Sequence, residues 1–402
     1  MNILTPTLGL LLLPSLCFGS GYEFEGVGAH QVGRAGAATA DASDWTAVYW
    51  NPAGLAAGSR ARQAGLELFG GRAYSKDGNS LSSLPGLGAV FTQKSISSSF
   101  LLGAAGGSIP LGERLALGFG LYTPILQGLD FSDANAGGTA LDYRGLLGIV
   151  TSNLSLGWSP FPGFSLGSGL NILYGKLAAR TRLHIPSYDD VTSDLSGQGW
   201  GVEGVFGARY DPDPRLSFGA VLRTGADVDI QGTAVSTSRL SPAENSNFSF
   251  ILKQPPTSAL GAAWRPSPAW TLSADLSQTW WRSFRNDIYF FKPGTLLVNR
   301  ANSFDWRDTW KLRLGVESRL GERLSLLGGW SYDRFAVDTA SLDFATTVDV
   351  PMHRLYAGVK RSWTKSLETT LAGVYGTGSR NEQGIEYRLS GFQLMLGARL
   401  LY

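Results

Sequence analysis

The sequence predicts a fourteen-stranded antiparallel outer-membrane β-barrel with a small N-terminal helical hatch plugging its lumen. Three observations predict it. Six short turn-like breaks recur at a near-regular pitch, the stretches flanking them alternate small or polar with large apolar residues, and the N-terminal stretch does not alternate at all. The breaks are Pro110-Leu111-Gly112-Glu113, Pro160-Phe161-Pro162-Gly163, Asp211-Pro212-Asp213-Pro214, Arg265-Pro266-Ser267-Pro268, Leu320-Gly321-Glu322 and Ser362-Trp363-Thr364-Lys365. Their pitch of about fifty residues equals two tilted membrane-crossing strands plus one longer loop. Six tight turns join twelve strands, and one alternating stretch at each end brings the count to fourteen.

Composition agrees. The 402 residues are 43% hydrophobic with a net charge of +2, and no run of eighteen or more apolar residues occurs that would make a membrane helix. Strands facing lipid on one side and a lumen on the other average to neutral hydropathy. The charge is balanced and forms no basic stripe, so no nucleic-acid partner is expected. Residues 1–19 read as a secretory signal: Leu8 to Leu13 form an apolar core, Pro14 breaks it, and Cys17 and Gly19 suit cleavage before Ser20. No Lys or Arg precedes that core. Cys17 is the only cysteine, so the mature chain has no disulfide and no Cys metal site.

The barrel is expected over 59–402, with strands at 61–71, 98–109, 114–124, 146–159, 164–178, 199–210, 215–230, 257–265, 269–284, 309–319, 323–335, 352–362, 367–378 and 387–402. After the first break Leu115, Leu117, Phe119 and Leu121 share one face, with Ala116, Gly118, Gly120 and Tyr122 on the other. After the fourth, Trp270, Leu272, Ala274 and Leu276 alternate with Thr271, Ser273, Asp275 and Ser277. The apolar faces belong against lipid, because a closed ladder leaves no polar backbone edge in hydrocarbon. Long connections are expected near 72–97, 125–145, 179–198, 231–256, 285–308 and 336–351, on the outer side, with the tight turns toward the periplasm. Pro255-Pro256 cannot donate to a ladder, so the next strand begins late or carries a bulge.

Residues 20–58 are different. They read Gly33-Arg34-Ala35-Gly36, an Ala-rich stretch to Ala42, Asp44 to Trp50, and then Asn51-Pro52-Ala53-Gly54. Alanine favours short helix, Asp44 can cap one, and Pro52 and Gly54 stop it. A free periplasmic tail would leave Trp45, Tyr49 and Trp50 in water, so the segment is expected inside the lumen.

This segment resembles the N-terminal hatch of the outer-membrane long-chain fatty acid transporter family, which includes toluene and xylene uptake channels. The matching runs are Val32 to Ala38, Ala40 to Ser43 and Ala47 to Leu55. The likeness continues at Trp306 to Gly315, at Trp330 to Arg334 and in the alternating final strand from Phe392 to Tyr402. The resemblance implies a passive, monomeric channel for a hydrophobic small molecule, most naturally a long-chain fatty acid, with aromatic hydrocarbons such as toluene or xylene as the alternative. It implies a ligand pocket inside the barrel and a sideways exit where the third strand is kinked. Outer-membrane lipid and lipopolysaccharide would surround it.

By that resemblance Asn51, Pro52 and Ala53 latch the hatch to the kink. Gly118, Gly120 and Pro124 mark the kink and lateral exit, since two glycines and a proline weaken a ladder; the glycines equally suit making room for the plug. Lys176 and Arg307 fall near positions that would hold a carboxylate, although a basic residue at a strand end also suits a solvated rim or a lipopolysaccharide contact. An enzyme reading, such as a lipid hydrolase, needs a clustered base and nucleophile, whereas His30, His184 and His353 are scattered. No Gly-rich phosphate loop or metal-ligand cluster appears, so no catalytic residue, metal or cofactor is expected. A general porin would have no use for the plug, and a structural or adhesin barrel is the remaining reading.

Overall fold

The fold is a computed structural model that describes residues 25–57, 61–76, 82–83, 90–91, 95–136, 139–185, 189–284, 286–299, 306–336, 349–382 and 385–402. The expected signal at 1–19 and the boundary at 58–59 lie outside the described residues. The barrel strands are β1 (Gln63–Lys76), β2 (Ser95–Pro110), β3 (Leu115–Ala136), β4 (Thr139–Phe161), β5 (Phe164–Ile185) and β6 (Asp189–Asp213). Three broken strands follow: β7 (Leu216–Arg223 and Ala226–Thr237), β8 (Glu244–Gln254 and Thr257–Ser267) and β9 (Trp270–Thr279 and Asn286–Phe290). The circuit finishes with β10 (Thr309–Arg319), β11 (Leu324–Asp333), β12 (Met352–Ser362), β13 (Leu367–Glu382) and β14 (Ile385–Leu401).

Every strand is antiparallel to its neighbours, and β1 pairs with both β2 and β14, which closes the barrel. Closure removes the free edges that an open sheet would expose to lipid, apart from the β2–β3 seam past Ala105↔Leu121. Side chains follow the period of two. Phe119 and Leu121 face outward and exposed while Ala116 and Tyr122 are buried inside, and Leu272 and Leu276 face outward above buried Thr271 and Asp275.

Three stretches expected as loops, 125–145, 179–198 and 231–256, are largely ladder instead. β3 and β4 pair through Ala136↔Thr139, and β5 and β6 pair through Ile185↔Asp189, so 125–145 and 179–198 are largely strand. Alternation persists there with its outward polarity reversed: Arg180, Arg182 and His184 point out while Thr181 and Leu183 are buried. A strand that has left the hydrocarbon no longer needs an apolar outward face, and that is why these segments read as loops. The Pro255-Pro256 break is present, but a further ladder segment, Glu244–Gln254, precedes it.

The core lies in the lumen. Val27, Val32, Trp45, Val48, Trp50 and Leu55 of the N-terminal segment pack against inward side chains of β1, β2, β3 and β12 to β14, among them Phe69, Tyr122 and Val374. No helix among the described residues is long and apolar enough to cross a membrane; the strands do so.

Candidate functional site: the hatch, the lumenal pocket and the break in β3

The hatch winds through three single-turn helices, α1 (Ala29–Val32), α2 (Ala47–Trp50) and α3 (Gly54–Ala57). Its Gly-Arg-Ala-Gly run has a steric reason: Gly36 has φ of +67°, and a Cβ there would lie 2.5 Å from the Trp50 ring. Arg34 bonds Asp41 at 2.7 Å and Gln31 at 2.6 Å, knitting the segment to itself. Burial alone would raise the Asp41 carboxyl, but the adjacent Arg34 guanidinium holds it below its usual value.

Barrel groups fasten the hatch around most of the circumference. Glu67 accepts the Ala29 amide at 3.0 Å, and Asp275 accepts those of Ala38 and Thr39 at 2.9 Å. Arg399 reaches Asp44 at 3.1 Å, and Arg354 reaches Glu25 at 2.6 Å. His30 lies 2.9 Å from Glu317, a carboxylate that Lys360 already neutralises at 2.8 Å. Burial, followed by the charge on Lys360, lowers the His30 pKa to about 4, so the imidazole is neutral at physiological pH.

Asn51 ends α2 with an extended backbone, as a residue before proline should. Its amide donates to the Thr39 carbonyl at 2.7 Å and to the Ala208 carbonyl at 3.0 Å, while its oxygen accepts from Ala53 N–H at 3.1 Å. Asn51 therefore joins the hatch to β6, whereas the resemblance implied a latch on the third strand. Pro52 and Ala53 form the turn behind it. Replacing Asn51 by Ala strands two carbonyls and one amide and should cost about 1–3 kcal/mol of hatch attachment. Limited proteolysis should then cut the hatch faster while the barrel stays folded and heat-modifiable; an unchanged digestion pattern would contradict the latch.

On the β3 side the contact is apolar. A Cβ on Gly118 would meet Val48 and Leu55 at 2.7–2.8 Å, and one on Gly120 would meet Val48 at 2.9 Å. Both glycines sit in regular ladder, Gly118 opposite Ser108 and Ser155 and Gly120 opposite Gly106 and Asn153. They make room for the hatch and do not bend the strand. The irregularity is at Thr123-Pro124, between the rows Tyr122↔Thr151 and Ile125↔Ile149. Among the described residues the β2–β3 ladder ends at Ala105↔Leu121, although β2 stays paired with β1 out to Ser95↔Lys76 and β3 with β4 out to Ala136↔Thr139. Beyond Leu121 no pairing between β2 and β3 is found among the described residues, and the short strand Val90–Phe91 lies near β3.

A cavity of about 140 Å³ sits above the hatch, and Pro124 is part of its lining. Tyr49 and Trp50 form its floor, and Tyr122 and Trp281 line its sides. It lies at the level where four strands are interrupted. Besides Pro124 of β3, it is lined by Arg223 before the Thr224-Gly225 break in β7, by Gln254, Pro255 and Thr257 at the β8 break, and by Thr279 and Trp281 at the β9 break. Its charged lining is Glu203, Arg223 and Arg313. Arg223 stacks 4.9 Å over the Tyr49 ring, donates to the Tyr49 carbonyl, and reaches Glu203 at 3.4 Å. Arg313 lies 5.9 Å from the Trp50 ring and donates to Ser277 at 3.2 Å.

Lys176 and Arg307 do not line this cavity. Lys176 is exposed on the outward face of β5, in the same row as Leu170 and Ile172, because residues two apart share a face. Arg307 is exposed just before β10. The cavity's own cations, Arg223 and Arg313, went unread in the sequence, although alternation puts both inward: Leu222 faces out beside Arg223, and Leu314 beside Arg313.

Residues 10–370 match the profile of the family described as outer membrane protein transport protein (OMPP1/FadL/TodX). The chain belongs to this family. FadL/TodX proteins carry hydrophobic compounds across the outer membrane, which places this barrel there. Solved structures agree in fold. A Pseudomonas aeruginosa FadL homologue superposes with a TM-score of 0.77 at 16% identity, covering 95% of this chain and 99% of that one. The monoaromatic hydrocarbon channel CymD gives 0.74 at 16%, with 94% and 98% covered. The P. putida toluene transporter TodX gives 0.70 at 14%, with 94% and 99% covered. A search of curated protein sequences finds no match.

Proposed function

We propose that this FadL/TodX-family barrel takes up long-chain fatty acids passively, holding them in the cavity above the hatch and releasing them sideways between β2 and β3. The observation that carries the substrate is the charged lining. The guanidinium groups of Arg223 and Arg313 line the cavity beside Glu203, and a fatty acid carboxylate can accept charge-assisted hydrogen bonds from them where a hydrocarbon cannot. The exit rests on the end of the β2–β3 pairing at Leu121, next to Pro124 and so next to the cavity. An acyl chain gains about 0.8 kcal/mol for each CH₂ moved from water to an apolar surface, which favours a route that stays dry. Apolar side chains such as Val228, Ile230, Phe248 and Phe290 are buried on the segments of β7, β8 and β9 that lie on the far side of their breaks from the tight turns.

Volume favours a second reading, uptake of aromatic hydrocarbons. At about 140 Å³ the cavity matches the engineered protein cavity of about 150 Å³ that admits benzene. Four aromatic rings line it. A long acyl chain would have to extend beyond it, toward Pro124. Uptake assays separate the readings. In cells lacking this barrel, entry of labelled oleate should fall while toluene and small sugars enter at the wild-type rate; selective loss of toluene entry would establish the second reading instead.

A further inference from the structure

A hydrogen-bonded chain crosses the cavity wall beside the break in β3 and ends on the hatch. Tyr122, the last residue of β3 before the irregularity, donates to Asn171 Oδ1 at 3.2 Å, and Asn153 donates to the same oxygen at 2.6 Å. Both donors fix the orientation of the Asn171 amide, so its Nδ2 points at Glu203 Oε2 at 2.6 Å. Glu203 in turn faces Arg223, which donates to the Tyr49 carbonyl of the hatch.

The two contacts of Glu203 are unequal. Its bond to Asn171 is short, whereas its approach to Arg223 is 3.4 Å, well beyond the usual length of a charge-assisted bond of about 2.7–2.9 Å. Glu203 is 4% exposed, so its charge needs a partner. Arg223 is the cation that faces it, and the Asn171 amide is a neutral hydrogen-bond donor that stays in place without Arg223. The arginine also has independent support, from the Tyr49 carbonyl and ring.

Resting on the fatty acid reading above, we infer that Glu203 is a built-in stand-in for the ligand head group: it holds Arg223 loosely in the empty cavity and yields it to an incoming carboxylate. Glu203 keeps its Asn171 bond when displaced, so the exchange swaps one carboxylate for another at Arg223 and leaves Glu203 with a neutral hydrogen-bond donor in place of its cation, a cost that the incoming acid must offset. This sets affinity low enough for release, and it selects for acids, because a neutral ligand brings Arg223 no counter-charge in place of Glu203.

Purified barrel in detergent tests this with two ligands of equal length, oleate and oleyl alcohol, and with Glu203→Gln. Removing the competing charge should tighten oleate binding by about tenfold, with oleyl alcohol changed by less than about twofold. Glu203→Asp keeps the charge but draws it back from Arg223, and should tighten oleate by a smaller factor; it serves should the Gln variant not fold. Oleate binding to wild type that is unchanged or weakened in the folded variants overturns the role of Glu203 and leaves the fatty acid reading standing. No oleate binding to wild type overturns that reading, and this inference with it.

Discussion

Replacing Arg223 with Leu should lower oleate binding by about ten- to a hundredfold, the loss expected when a buried charge-assisted bond of roughly 1.5–3 kcal/mol is removed. Arg223 lines the cavity, and its guanidinium is anchored by the hatch, so it is placed where a head group would arrive. Two side effects need control. The variant leaves Glu203 buried without its cation, and it removes a tie to the Tyr49 carbonyl. The double variant Arg223→Leu with Glu203→Gln removes both charges together and avoids an unpaired buried carboxylate. It should fold and insert like wild type, bind oleyl alcohol nearly as well, and remain poor for oleate. Direct binding in detergent reads this out. Equal loss of both ligands would assign Arg223 to hatch packing instead of to head-group recognition.

Much of the barrel was legible because two independent signals coincide in it. The six tight turns set the number of strands, and alternation set which face of each meets lipid. Both signals depend on the membrane. Above it the outward face turns polar, so the ladder of β5 and β6 around Arg180, Arg182 and Asp194 looked like loop. The hatch was legible for the opposite reason: residues 33 to 55 fail to alternate, carry three aromatics that need burial, and end on Asn51-Pro52.

The site was less legible. Contacts across the lumen join residues far apart in sequence, and no local pattern encodes them. Asn51 reaches Ala208 across 157 positions, and Arg223 reaches Tyr49 across 174. Pro124 was readable as a ladder breaker, since proline lacks the amide the ladder needs. Gly118 and Gly120 were ambiguous, because a glycine that admits a neighbour and one that bends a strand look alike until the neighbour is seen. Lys176 was misread against the parity of its own strand, in which Leu170 and Ile172 already mark its face as outward.

If ligand leaves through the wall between β2 and β3, closing that wall should stop transport. Leu101 on β2 is exposed on the outward face, Thr123 of β3 sits at the irregularity, and both lie past the last paired row, Ala105↔Leu121. Cys17 is the only native cysteine and falls in the expected signal segment, so cysteines placed at 101 and 123 would be the only thiols of the mature chain. Bridging them with a short, cleavable bis-methanethiosulfonate linker should lower oleate uptake by about tenfold or more, and cleaving the linker should restore it. Binding of oleate in the cavity should be unaffected, because Arg223, Arg313 and the hatch are untouched. Oleate uptake by fully bridged barrels at the unbridged rate would contradict lateral release and move the exit to the hatch.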